Sequence, residues 1–201
     1  MTTIIGIKGI EPETKEPYVV LFSDTQGNYK TSTSEEQKLF VPEKGNYAIG
    51  TAGKILTHFF SKTNQKKEHD LIHEGMTLDS ESLEEILKKT NNTIHEDVEQ
   101  TNDYITALQE ENTVNLYSYV DKLHPIKTSA AVGTGIYHLN LSPLEKYRQE
   151  EQIIADKQDI IKIGIEALRD VAKKDSQTGG NISIAVVKPN FKTYLENYAK
   201  I

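Results

Sequence analysis

Met1-Thr2 opens the chain, and a small second residue lets ordinary methionine removal leave threonine as the new amino terminus. A hydroxyl is a poor nucleophile at neutral pH, but an N-terminal threonine carries its own α-amine, of unperturbed pKa about 7.7–8.0, within reach of its own Oγ. One residue then supplies nucleophile and base. Three further groups fit that chemistry. A buried Lys38 held by Asp24 would keep its charge, and a fixed ammonium beside the hydroxyl favours the alkoxide. Gly53, where a strand pattern gives way to a helix pattern, offers a backbone amide as oxyanion donor. The polar loop Asp175-Ser176-Gln177-Thr178-Gly179-Gly180 has the hydroxyls and carboxylate to orient the α-amine. Each also has a plain structural reading: Asp24 as a turn carboxylate, Lys38 as a surface charge, Gly53 as a helix start, Asp175 as a cap.

Other constellations carry less. With no cysteine in 201 residues, disulfides, thiolate zinc sites and a cysteine nucleophile are excluded. His69 and His73 stand at the i, i+4 spacing of zinc proteases, with Asp70 between them, but no third ligand stands out downstream. We expect no metal and no cofactor. Around Gly53-Lys54 the first glycine of a phosphate loop is replaced by Ala48 and its hydroxyl by Ile55. Lys66-Lys67 is answered by Glu68 and Asp70, and reads as a solvated helix end. A net charge of −7 argues against a nucleic-acid partner. No positively charged leader precedes an apolar core, and no apolar run approaches the ~18 residues needed to span a bilayer, so a cytoplasmic protein without membrane contact is expected.

The elements that must position these residues follow from pattern. Ile4 to Ile7 and Pro17 to Asp24 read as strands joined by the long loop Gly9 to Glu16. Lys38 to Val41 and Tyr47 to Thr51 form a second pair about the turn Pro42 to Asn46. A helix is expected from Gly53 through Phe60, and another from the capping box Ser82 to Glu85 as far as Gln100. Thr113 to Val120 and Lys127 to Val132 read as strands, and Ser142 to Gln152 as a short helix. Ile160, Ile161, Gly164, Ile165, Leu168, Val171 and Ala172 make the clearest amphipathic stripe, ending at Lys173-Lys174, where cations suit a helix C-terminus. Asn181 to Lys188 is the last expected strand. The order suggests an α+β chain whose sheets are covered by helices outside, in one domain over residues 1–201.

Taken in order, Thr2-Thr3-Ile4-Ile5-Gly6-Ile7, Val19 to Thr25, Lys38-Leu39-Phe40, Gly50-Thr51-Ala52-Gly53, Gly133-Thr134-Gly135 and Asp175 to Gly180 resemble the motifs of proteasome-type β subunits. The resemblance spans residues 2 to about 188 and extends to the bacterial ring peptidase that works with an ATP-driven unfoldase. It implies the four-layer αββα sandwich of the N-terminal-nucleophile hydrolases. Residues 61 to 125 match only as helix-rich sequence.

Carried over by position, the resemblance makes Thr2 the nucleophile, Asp24 and Lys38 its activating charge pair, and Gly53 the oxyanion amide. Thr134, Asp175 and Thr178 become the outer shell, with threonine at two positions where the family usually carries serine. Thr51 falls near the pocket for a substrate side chain, making it small and polar. The activity implied is that of a threonine endopeptidase acting on unfolded polypeptide, in homo-oligomeric rings, with an ATP-dependent unfoldase and in some relatives an α-type ring as partners. Two alternatives stay open: an inactive structural ring subunit, and an amidase or peptide ligase acting on one specific bond.

Overall fold

Runs of β-branched and aromatic residues build two five-stranded antiparallel sheets, seen in a computed structural model that describes residues 2–28, 33–53, 60–61, 72–73, 75–95 and 102–201. The strands are β1 (Thr3–Ile10), β2 (Pro17–Asp24), β3 (Leu39–Phe40), β4 (Tyr47–Ala52), β5 (Asp103–Glu110), β6 (Thr113–Tyr119), β7 (Leu123–Ile126), β8 (Ser129–Gly133), β9 (Asn181–Lys188) and β10 (Phe191–Lys200). The first sheet has the order β8-β1-β2-β9-β10 and the second β7-β6-β5-β4-β3. Two α-helices are described, α1 (Ser80–His95) and α2 (Lys157–Ala172).

Alternation along each strand sorts the core into layers. Ile4, Val19, Leu21, Leu39, Ala48, Ile105 and Leu116 meet between the sheets. Ile5, Ile7, Val20 and Phe22 point the other way, onto Ile160, Ile161 and Leu168 of α2. On the far side Tyr47, Ile49, Tyr104 and Leu108 receive Leu83 and Leu87 of α1. Because β1 and β2 are buried on both faces, they read as nearly continuous apolar runs rather than as an alternation.

The expected four-layer αββα sandwich is corrected to a β-rich fold, dominated by its two antiparallel sheets, with one described α-helix on each outer face. The strand content comes from segments without a strong pattern. Asp103–Glu110 falls within the stretch matched only as helix-rich, Leu123–Ile126 lies at its end between two expected strands, and Phe191–Lys200 follows the strand expected to be last. Ser142 to Gln152 is not an α-helix either: a 3₁₀ turn over Ser142–Tyr147 is followed by the short strands Arg148–Gln149 and Gln152–Ile153. Of the helix expected from Gly53, residues 54–59 lie outside the described residues, and Phe60–Ser61 pairs with Ile72–His73 as a short parallel ladder.

Where helices do form, their caps are legible. Asp79, not Ser82, caps α1: Ser82 N donates to Asp79 Oδ1 at 2.8 Å while Asp79 N donates to Ser82 Oγ at 3.0 Å. At α2 the Asp156 carboxylate accepts from Gln158 N at 2.7 Å. Among the described residues, no helix is long and apolar enough to cross a membrane.

Candidate active site

Pairing of β1 with β2 sets Ile4 opposite Ser23, which brings the start of β1 to the end of β2 where Asp24 stands. Thr2 Oγ1 donates to Asp24 Oδ1 and accepts from Lys38 Nζ. Lys38 Nζ also donates to Asp24 Oδ2 at 3.0 Å, and Thr2, Asp24 and Lys38 are 1%, 0% and 5% exposed. The segment that carries Lys38 is fixed by Thr51 N, which donates to Lys38 O at 3.0 Å.

Asp24 is held as a carboxylate acceptor from several directions. Thr3 N donates to Oδ1 at 2.8 Å, while Gln26 N and Gly179 N each donate to Oδ2 at 3.3 Å. Burial pushes the Lys38 ammonium below its ordinary pKa, opposed by the charge and hydrogen bond of Asp24 and by Glu36. The hydroxyl of Thr2 therefore sits between a saturated anion and a cation stripped of most of its water. Of these influences the Lys38 ammonium favours an alkoxide at Thr2, while burial and the Asp24 carboxylate oppose it.

A second cluster lies behind β1. Thr134 Oγ1 and Thr178 Oγ1 both donate to Asp175 Oδ2 at 2.8 Å, and Thr178 Oγ1 meets Thr3 Oγ1 at 2.8 Å. Thr134 N donates to Thr2 O at 3.1 Å, tying this cluster to the residue that carries the hydroxyl. Burial would raise the Asp175 carboxyl, but bonds from Gln177 N, Thr134 and Thr178, with the nearby His138, hold it below the usual carboxylate range.

Gly53 closes β4 with φ of 137°, a left-handed-side conformation that favours glycine. Its strand reaches the site through Ile4, whose Cγ2 would stand 2.6 Å from a Cβ at Gly50. Among the described residues no hydrogen bond links Gly53 to Thr2, Asp24 or Lys38. Six of the seven residues singled out from sequence thus fall into two bonded clusters, and Gly53, just past the end of β4, is bonded to neither among the described residues.

Sequence reasoning passed over Thr3, Gln26, Gly179 and Asn102. Thr3 bonds Asp24 through its amide and Thr178 through its hydroxyl, a double role that its place beside Thr2 could have suggested. Gln26 and Gly179 act on Asp24 through backbone, which side-chain chemistry does not advertise. Thr51 Oγ1 is buried without a hydrogen-bond partner among the described residues. His69 and Asp70 lie outside the described residues, so the i, i+4 histidine pair is not placed. No protein-family model matches the chain, and no curated protein matches it.

Proposed function

We propose that this protein is a threonine-type peptidase of the proteasome β-subunit-like kind, with Thr2 as nucleophile once Met1 is removed. The observation that carries the reading is the Thr2 hydroxyl bonded at once to the Asp24 carboxylate and the Lys38 ammonium, away from solvent. A structural threonine at a chain start has no need of a buried ion pair, whose desolvation is costly.

In the proposed reaction the free α-amine of Thr2 takes the hydroxyl proton and Oγ1 adds to a peptide carbonyl. The Gly53 amide holds the oxyanion, and the amine returns its proton to the leaving nitrogen. The acyl group then rests on Thr2 as an ester, and water repeats the sequence to free the acid. Lys38 stays cationic and Asp24 anionic throughout, so the pair tunes the hydroxyl without exchanging protons. Thr134, Asp175 and Thr178 set the position of the residue 2 backbone. Unfolded polypeptide is the proposed substrate, rings of this chain the proposed assembly, and an ATP-driven unfoldase its proposed supplier.

The test treats intact protein with an N-terminal-threonine-directed inhibitor and maps the adduct by mass. Labelling at Thr2, loss of casein degradation in Thr2→Ala, and an intact mass lacking Met1 are expected. Absence of adduct from protein that has lost Met1, with hydrolysis surviving Thr2→Ala, would remove the proposal. Labelling without casein degradation would favour the amidase or ligase alternative. A retained Met1 would leave a Thr2 without a free amine, as in a structural subunit.

A further inference from the structure

We infer that Asn102 is a positioning residue for the Gly53 amide, an inference that rests on the peptidase reading above. Register places the two together: Ala52 pairs with Asp103, so Gly53 and Asn102 flank that pair on adjoining strand ends. Contact is close. A Cβ built on Gly53 would stand 2.1 Å from Asn102 Oδ1 and 3.1 Å from Asn102 Cα. The carboxamide therefore occupies the space in which any side chain at position 53 would have to lie, behind a peptide already held at φ 137°.

Asn102 is also an anomaly in its own right. It is 0% exposed, and its Oδ1 has no hydrogen-bond partner among the described residues, while its amide group lies close enough to the Tyr104 hydroxyl to act on it. Buried carboxamides are ordinarily paired, and an orphan is destabilising relative to an apolar residue of the same shape. Its backbone, by contrast, is firmly tied. Asn91 of α1 donates from Nδ2 to Asn102 O at 3.0 Å and accepts from Asn102 N at 3.3 Å, while the Tyr104 hydroxyl donates to Asn91 Oδ1 at 3.0 Å. The arrangement anchors the main chain of Asn102 to a helix and leaves its side chain to pack on Gly53. A carbonyl oxygen kept without a partner behind the amide that must face a developing charge has a reason to be there if its shape fixes that amide. Small displacements of such a donor are costly, because oxyanion stabilisation depends on preset geometry.

An opposed pair of effects separates this role from a structural one. Asn102→Leu removes the orphan oxygen at similar volume, at the cost of the contact with the Tyr104 hydroxyl, so thermal stability should stay close to wild type while turnover falls. The probes are a peptide nitrophenyl ester, which acylates Thr2 through a tetrahedral oxyanion, and a peptide vinyl sulfone, which alkylates Thr2 without forming one at a carbonyl. Asn102→Leu should lower kcat for the ester about 10–100-fold with KM within about 2-fold, and keep vinyl sulfone labelling near the wild-type rate. Ester turnover within about 2-fold of wild type, or parallel loss of both reactions, would overturn the inference while leaving the nucleophile intact. If wild-type protein lacking Met1 resists the vinyl sulfone at Thr2, the peptidase reading fails and this inference goes with it. Should Asn102→Leu not fold, Asn102→Ser is read by the same two rates.

Discussion

Lys38 Nζ lies 3.0 Å from Asp24 Oδ2 with the two side chains 6% and 0% exposed, so each charge has the other as its main compensation. The two are not equally dependent. Asp24 also accepts from Thr3 N, Gln26 N and Gly179 N, whereas Lys38 without Asp24 would keep, among the described residues, hydrogen bonds to the Thr2 hydroxyl and the Gln26 carbonyl and the charge of Glu36.

Asp24→Ala should therefore cost more stability than Lys38→Met. Removing the carboxylate strands a buried ammonium, for which about 3–5 kcal/mol is expected; removing the ammonium leaves an anion with three N–H donors, at about 1–3 kcal/mol. Urea denaturation of the two variants measures both, and a larger loss in Lys38→Met would show that the backbone donors do not support Asp24 as drawn.

Thr2→Ala separates chemistry from folding. The substitution deletes a hydroxyl but leaves the ion pair, so stability should change by no more than about 1–1.5 kcal/mol. Peptide hydrolysis should fall to background, and Thr2→Ser should retain a measurable share. A Thr2→Ala protein that unfolds several molar units of urea earlier would instead make Thr2 a structural keystone.

Acid should weaken the second cluster through Asp175. Its carboxyl is held below the ordinary value in the fold, so its contribution is fully present above the unfolded pKa of about 3.9 and is lost as pH falls through the folded value. Asp175→Asn has no such proton to take up. The stability gap between wild type and Asp175→Asn should be constant from neutral pH down to about 5 and close below about 4. Urea midpoints across that range test the sign, and a gap that widens in acid would reverse it.

How much of this was legible in the sequence depends on where the chemistry is carried. Asp24 and Lys38 stand out because an acid at a strand end and a lysine before an apolar pair are side-chain signals, and the β1–β2 hairpin that brings Thr2 to Asp24 follows from two apolar runs. Asp103–Glu110 did not announce itself as a strand. Its strand-favouring run Tyr104-Ile105-Thr106 is short and passes into Ala107 and Leu108, and it is buried on both faces, so no alternation marks it. That one strand carries most of the sheet pairing of β4 and β6. Without it, the stretch from 61 to 125 matches the resemblance only as helix-rich sequence, and the second sheet is under-read. Asn102 was invisible for another reason: an asparagine beside a strand reads as a turn residue, and only the packing against Gly53 makes it unusual.

Gly164 sits in the middle of α2, where glycine is a poor helix former by about 1 kcal/mol relative to alanine, so alanine would ordinarily stabilise. The packing argues the opposite sign. A Cβ at Gly164 would stand 2.3 Å from Phe22 Cζ and 2.5 and 2.6 Å from the two Cε atoms. Phe22 is 0% exposed, so its ring has no solvent side into which to retreat. Either α2 lifts from the sheet or Phe22 leaves its rotamer, each worth about 1–3 kcal/mol. Gly164→Ala should consequently be destabilising by up to about 2 kcal/mol in spite of the helix gain. Phe22→Leu costs stability alone but removes the obstructing ring, so the double variant Phe22→Leu/Gly164→Ala should be more stable than the sum of the single losses, with a coupling of about 0.5–3 kcal/mol. Because Phe22 lies two residues before Asp24 on β2, the displaced strand should also slow Thr2 labelling in Gly164→Ala and recover part of that rate in the double variant. Simple additivity in urea, or a stabilised Gly164→Ala, would mean that α2 does not rest on this ring.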